Sequence, residues 1–224
     1  MTRENRTKEL NILGPAEHIC IWKDAAECND CHLDEVLFCR PKIKYMLYFG
    51  LTAMLGIIPA VMGILLSEYT TLGKIAILGS WVVYAAFFFT IWESRMLCNH
   101  CPYYANDAQK SLHCPIDKGK LKTSHYDPGP LSTSEKGQFT VGALILIGYI
   151  HPFLVIKNQI LFTALSIAGI IVWIMVIQKK VCTDCVNFGC PLNRVPTNIR
   201  DRFLNRNPVI KEAWEEKGYK IKND

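Results

Sequence analysis

Four stretches of this chain are apolar, free of Lys, Arg, Asp and Glu, and long enough to cross a hydrocarbon core: Tyr45 to Leu66, Ile75 to Trp92, Phe139 to Ile156 and Ile160 to Ile177. In a chain of 224 residues, four such runs leave too little polar sequence to wrap them in water. The first and second are joined by a short turn from Ser67 to Lys74, the third and fourth by Lys157, Asn158 and Gln159. The expected fold is therefore an all-α integral membrane protein with four transmembrane helices arranged as two helical hairpins, a cysteine-rich and loop-rich cytoplasmic cap, and a short C-terminal helix.

An even number of crossings places three segments on one side: an N-terminal cysteine module (1–44), a central cysteine loop (93–138) and a tail module with the C-terminal helix (178–224). The hairpins occupy 45–92 and 139–177. Of the 25 Lys and Arg residues only Lys74 and Lys157 fall outside those three segments, and the bias of basic residues toward cytoplasmic loops makes the shared side the cytoplasm. The first 40 residues are polar and carry no apolar core with a cleavage site, so no signal peptide competes with this reading. The expected location is the cell membrane, multi-pass, with both termini cytoplasmic and membrane lipid as the surroundings. The net charge of +5 follows from this bias and carries no implication of nucleic acid.

All ten cysteines lie outside the apolar runs. On a reducing face, clustered thiols bind metal or do redox chemistry more often than they form disulfides. Cys20, Cys28, Cys31 and Cys39 form a symmetric set with a C-x-x-C pair at its centre, four thiolates being a full complement for zinc or an iron–sulfur cluster. That segment is too short and too charged to bury a core, so a bound metal would order it. Cys98, Cys101 and Cys114 follow the second run, and Cys182, Cys185 and Cys190 follow the fourth. Each hairpin thus ends in a C-x-x-C pair with a Cys-Pro downstream, the mark of a degenerate internal duplication. With three cysteines in each module, a fourth ligand must come from elsewhere. His113, beside Cys114, is the leading candidate, with His100 and His125 as alternatives, and the tail has no histidine.

Proline follows the last ligand in bacterial ferredoxin runs, where it turns the chain away from the cluster and carries no donor. Cys101-Pro102, Cys114-Pro115 and Cys190-Pro191 repeat that pairing, although the full C-x-x-C-x-x-C-x-x-x-C-P run is absent. In gross layout the chain resembles the four-helix membrane ferredoxin subunits that pass electrons from quinol in anaerobic respiration, and the resemblance rests on this organisation and these three dipeptides. The expected cofactor is an iron–sulfur cluster of the [4Fe–4S] type, with zinc as the alternative.

His151 lies inside the third run, about 18 Å from its cytoplasmic start at 1.5 Å per residue. An ionisable residue at that depth is a candidate cofactor-binding residue. Two readings stand: a quinone contact with Tyr149 or Tyr84 nearby, or a hydrogen bond to a neighbouring helix with Pro152 kinking the run. Gly56 with Ala60, and Ala164 with Ala168, are spaced for close helix packing. Lys118, Lys120 and Lys122 read as solvated loop charge. In the tail, Asn207 reads as an N-cap before Pro208 and Gly218 as a stop, with Val209, Ala213 and Trp214 forming a stripe expected to pack on the cysteine modules.

Three functions fit: a membrane-anchored iron–sulfur electron carrier, a redox subunit exchanging electrons with a soluble or membrane partner protein; a zinc-stabilised scaffold or assembly subunit without enzymatic activity; and a membrane thiol oxidoreductase using pairs such as Cys98 and Cys101. Catalytic residues are not identifiable from the sequence.

Overall fold

The computed structural model describes residues 16, 19–23, 31–106, 108–114, 116 and 119–222, and the described chain contains no strand, only one isolated bridge between Ser111 and Leu121. Its helices are α1 (Leu33–Val36), α2 (Ile43–Leu66), α3 (Thr71–Phe87), α4 (Glu93–Met96), α5 (Thr133–Gly148), α6 (His151–Ile156), α7 (Ile160–Lys180), α8 (Thr197–Arg206) and α9 (Pro208–Glu216). A π-helical turn, Phe88–Trp92, joins α3 to α4, and 3-10 turns follow at Cys98–His100 and Pro102–Tyr104. Four helical stretches, Ile43–Leu66, Thr71–His100, Thr133–Ile156 and Ile160–Lys180, are long and apolar enough to cross a membrane. Their outward faces are apolar, with Leu51 66 %, Val83 70 % and Leu161 68 % exposed, an arrangement that water penalises and lipid does not.

Two spans start earlier or end later than their apolar runs. Thr133 begins α5 six residues before Phe139, because Ser132 and Glu135 form a reciprocal capping box that satisfies the first amides. The third span is broken: α5 ends at Gly148 and α6 begins at His151. Pro152 supplies the cause, since it donates no hydrogen bond and its ring crowds the carbonyl of Gly148.

The short turns connect neighbours in sequence, yet the closest packing joins the first span to the fourth. α2 lies along α7, while α3 and the π turn pack chiefly against α5. Pro59 sits inside α2, so the Leu55 carbonyl loses its usual intrahelical donor. Gly169 of α7 presses on that carbonyl so closely that a Cβ there would lie 2.2 Å from the Leu55 oxygen. One turn away the Ser166 hydroxyl donates to the Gly56 carbonyl at 2.9 Å. Gly56 and Ala60 are thus buried at the contact as their spacing predicts. Ala164 and Ala168 are exposed, and Ser166 and Gly169, one face over, make the approach instead.

At one end of the bundle the start of α2, the end of α4, the start of α5 and the end of α7 meet the connecting segments. Phe38 N–H donates to the Asp184 carbonyl (2.9 Å), Tyr45 OH to the Asp184 carboxylate (2.8 Å), Tyr103 OH to the Phe38 carbonyl (2.7 Å) and Asn187 Nδ2 to the Leu97 carbonyl (2.9 Å). One hydrophobic core runs through all three segments, from Ile19, Leu33 and Phe38 through Cys101 and Tyr103 to Val186, Phe203 and Trp214. The tail contributes α8 as well as the expected α9, and Ile210 and Trp214, four residues apart, are its buried stripe. Gly218 ends it at φ +87°, a conformation that favours glycine. Asn207 makes no side-chain cap; its amide instead accepts from Cys20 N–H at 2.7 Å and donates to the Cys20 sulfur at 3.4 Å, tying the tail to the amino-terminal segment.

Replacing Gly169 by Ala puts a methyl group against rigid backbone, and destabilisation by about 3 kcal/mol or more is expected. Unfolding in detergent checks this: an unchanged midpoint for G169A, with loss at Gly79 where space is open, would contradict the packing described.

Candidate functional site

Both cysteine modules leave their helices in the same way. Leu97 and Val181, the residues that end α4 and α7, adopt nearly identical backbone angles (φ −123°, ψ −51° and φ −121°, ψ −51°), and the first cysteine of each pair comes next. In the first module Cys101 N–H donates to the Cys98 carbonyl (2.9 Å) and Tyr104 N–H to that of Cys101 (2.8 Å). In the second, Cys190 N–H donates to Asn187 and Arg194 N–H to Cys182. The exits match, and the turns beyond them differ.

The two modules close on one another around a cavity of about 130 Å³. Cys98, Cys101, Cys114, Cys182, Cys185 and Cys190 all line it, together with apolar side chains, Tyr103, Asn187 and a single carboxylate, Glu93. Lys120 and Lys122 are turned inward rather than solvated. Lys120 Nζ lies 2.7 Å from Glu93 Oε2 and 3.7 Å from the Cys98 sulfur, and Lys122 Nζ donates to the Tyr104 carbonyl at 2.9 Å.

Three of the thiols, Cys182, Cys185 and Cys190, are held protonated by their surroundings in the metal-free protein. Burial raises Cys182 from 9.0 to about 11, against a lowering pull from Arg194, and raises Cys190 to about 12. Burial also pushes Cys185 well up, reinforced by the negative charges of Cys101, Cys190 and Cys114. Backbone amides at Asn187, Leu192 and Asn193 act the other way by donating toward Cys185 and Cys190. Such donors stabilise sulfur once its proton is displaced.

Other candidate ligands are placed differently. Cys31 and Cys39 are buried in the shared core, Cys20 sits beside Asn207, and Cys28 lies outside the described residues. His113 does not line the cavity; its Nδ1 faces the Ser111 carbonyl at 3.3 Å and its ring meets Trp22. His100 does not line the cavity either; its ring nitrogens face Gly129 O at 2.9 Å and Glu135 Oε1 at 3.3 Å. His125 is exposed. Among the described residues no three His, Cys, Asp or Glu side chains converge closely enough to hold a single metal ion.

Does a polynuclear group fit where a lone ion does not? A tetrahedral zinc draws its thiolates to about 2.3 Å from one point, which leaves no free volume between them. Thiolates of an iron–sulfur cluster bind different irons and stand further apart around a larger body. The cavity is close to the roughly 150 Å³ that accommodates benzene. Tyr126, packed against the cores that hold Cys98 and Cys101, keeps a buried hydroxyl with no partner, a donor available to sulfur. Six cysteines around one cavity are the kind of donor set such a cluster would take.

A second cavity, about 340 Å³, lies among α2, α3, the π turn, α5, α6 and α7. Its walls are apolar apart from His151, Ser166 and the Trp81 and Trp173 indoles. Ser166 commits its proton to Gly56, so His151 Nε2, 3.2 Å away, is the donor of that pair and Nδ1 remains the ring's acceptor. Trp173 Nε1 is buried without a partner. Tyr149 and Tyr84 do not line this cavity; they bond to Ser80 (2.7 Å) and Gly142 (3.1 Å) and fasten α3 to α5. Phe49 is a wall of both cavities and meets the Trp173 ring edge-on at 5.4 Å between centroids.

No protein family, curated protein or solved structure matches the chain. Its chemistry is read from these two cavities.

The raised thiols fix a pH dependence for the metal-free protein. Between pH 9 and 12 the unfolded chain has lost protons that the folded chain still holds, so stability falls as pH rises through that window. Chelator-treated protein in detergent is expected to melt at lower temperature at about pH 10.5 than at about pH 8. A flat profile would count against buried, protonated thiols.

Proposed function

We propose that this protein is a membrane-anchored iron–sulfur electron carrier, with its cysteine layer on the cytoplasmic side of the cell membrane and the spans entering as two hairpins. The observation that carries the reading is that six cysteines, three following each hairpin, line one largely apolar cavity. When bound, a cluster of the [4Fe–4S] type would supply one-electron transfer. The chain's own residues would hold it by thiolate, exclude water with Phe38, Leu97, Ile177 and Val181, and direct donors at sulfur from Lys120 and the backbone.

The membrane cavity supplies the partner. Its volume falls in the range of small-molecule sites, its walls are apolar, and its polar groups are an acceptor on His151 and a donor on Trp173. A quinone-type headgroup suits that pair: a quinone carbonyl accepts from Trp173 Nε1, and a quinol hydroxyl donates to His151 Nδ1. Phe49 is the partition between such a headgroup and the sulfur-lined cavity. On the other side of the sulfur layer a soluble redox protein is the expected partner.

A zinc scaffold is the weaker reading, because a closed zinc site needs four ligands at one point. The thiol oxidoreductase is weaker too, since burial raises Cys182, Cys185 and Cys190 where a nucleophilic thiol needs a lowered value.

Anaerobically purified protein is expected to be brown, to contain iron and acid-labile sulfide, and to bleach on reduction. Colourless protein holding stoichiometric zinc would overturn the proposal. For the membrane cavity, menadione titrated into the holoprotein should quench tryptophan fluorescence saturably, and H151A should weaken binding roughly three- to tenfold, the effect of one lost hydrogen bond. Equal binding by the two proteins would remove His151 from the site.

A further inference from the structure

The membrane cavity is covered at both ends and open at its side. Toward the sulfur layer it is covered by Phe49 and Trp173, which meet edge-on. Away from that layer it is covered by a buried apolar cluster that joins the wall residues Ala60 and Ile150 to Ile64 and Leu154. Of the described wall residues only Met54 (43 %) and Phe89 (37 %) are exposed, so the cavity meets lipid there. Phe89 owes its place to the π turn: Phe88 is buried against α5, where a Cβ on Gly142 would lie 2.8 Å from its ring, and Phe89 is left for the cavity.

All but two of the polar side-chain atoms on the wall are engaged. Trp81 Nε1 donates to the Leu146 carbonyl at 2.9 Å, and Ser166 donates to Gly56 and accepts from His151 Nε2. One donor, Trp173 Nε1, and one acceptor, His151 Nδ1, remain. Trp173 and Ser166, which holds His151, lie seven residues apart on α7, two helical turns and about 10 Å along its axis. Donor and acceptor are therefore set for oxygens at opposite ends of a ring, not for oxygens on adjacent carbons. The other side chains of the wall are aliphatic or aromatic, with Phe49, Trp81, Phe89 and Trp173 available to a flat apolar body.

Resting on the quinone reading above, we infer that the cavity takes a 1,4-naphthoquinone-type ring bearing an aliphatic chain, and disfavours methoxylated benzoquinones. Two ring oxygens find partners on the wall, and further oxygens do not. A methoxy oxygen is an acceptor, the free donor already serves a ring oxygen, and an acceptor buried without a donor costs affinity. A fused benzene ring in the same place has no polar atom to satisfy and buries more apolar surface. The chain leaves through the open side at Met54 and Phe89 and lies in lipid, from which the ligand is delivered.

Holoprotein in phosphatidylcholine nanodiscs tests this, with tryptophan fluorescence as the readout and affinities referred to the concentration in lipid. Menadione is expected to bind at least about tenfold more tightly than 2,3-dimethoxy-5-methyl-1,4-benzoquinone, within the range over which an apolar pocket rejects an added polar atom. A naphthoquinone with a short isoprenoid chain should displace menadione at equal or lower concentration. Ala85→Phe, which fills the cavity from a wall position, should weaken menadione binding at least about tenfold and leave the visible spectrum of the holoprotein unchanged. Equal or tighter binding of the methoxylated ring, or a chain-bearing ring that fails to compete, overturns the inference and leaves the quinone reading standing. Menadione that does not saturate, that binds no better than naphthalene, or that binds Ala85→Phe as well as the unaltered chain overturns the quinone reading itself. Should Ala85→Phe fail to fold, the ligand series on the unaltered protein decides both.

Discussion

A freed carbonyl holds this molecule in register. Pro59 deprives Leu55 of its intrahelical partner, and in lipid no water replaces it, so the oxygen must be covered by protein. Gly169 covers it at a distance that no side chain permits, and Ser166 adds a hydrogen bond to the adjacent Gly56 carbonyl. The first and fourth spans are thereby fixed along their length. α2 begins just after Cys39 and α7 ends just before Cys182, so this contact also sets how the amino-terminal segment meets the tail module. The bonds from Phe38 and Tyr45 to Asp184 are its continuation at the bundle's end.

The same contact shapes the membrane cavity. Gly56, Ala60, Ser166 and Ile170 are wall residues, and the hydroxyl that bonds Gly56 is the one that orients His151. Helix packing and the orientation of His151 therefore share Ser166. A substitution there would change both, which is why the histidine is the cleaner probe. The π turn before Glu93 belongs to this account as well, because it alters the helix phase just ahead of the carboxylate that enters the sulfur-lined cavity.

Much of the plan was legible in the chain. Uncharged runs of membrane length announced four helices long enough to span, and the repeated C-x-x-C with a later Cys-Pro marked two modules whose exits at Leu97 and Val181 share one backbone conformation. Less was legible where several residues of one type compete. Small residues marked a packing face, but Ala164 and Ala168 looked as suitable as Gly169, and only a neighbour with an unpaired carbonyl distinguishes them. Loop lysines looked solvated because nothing local reveals that Glu93 is waiting for Lys120 across 27 residues of chain. His113 looked like a ligand by adjacency to Cys114, yet successive side chains on an irregular backbone point apart.

Sequence alone determined that four stretches are long and apolar enough to cross a membrane and that the cysteines gather in three segments, since both follow from local composition and spacing. The tertiary structure decided which thiols share a cavity, which span lies against which, and which histidine keeps a free lone pair. Those depend on where distant residues meet: on a carbonyl released by Pro59 and a glycine more than a hundred positions away that alone can approach it.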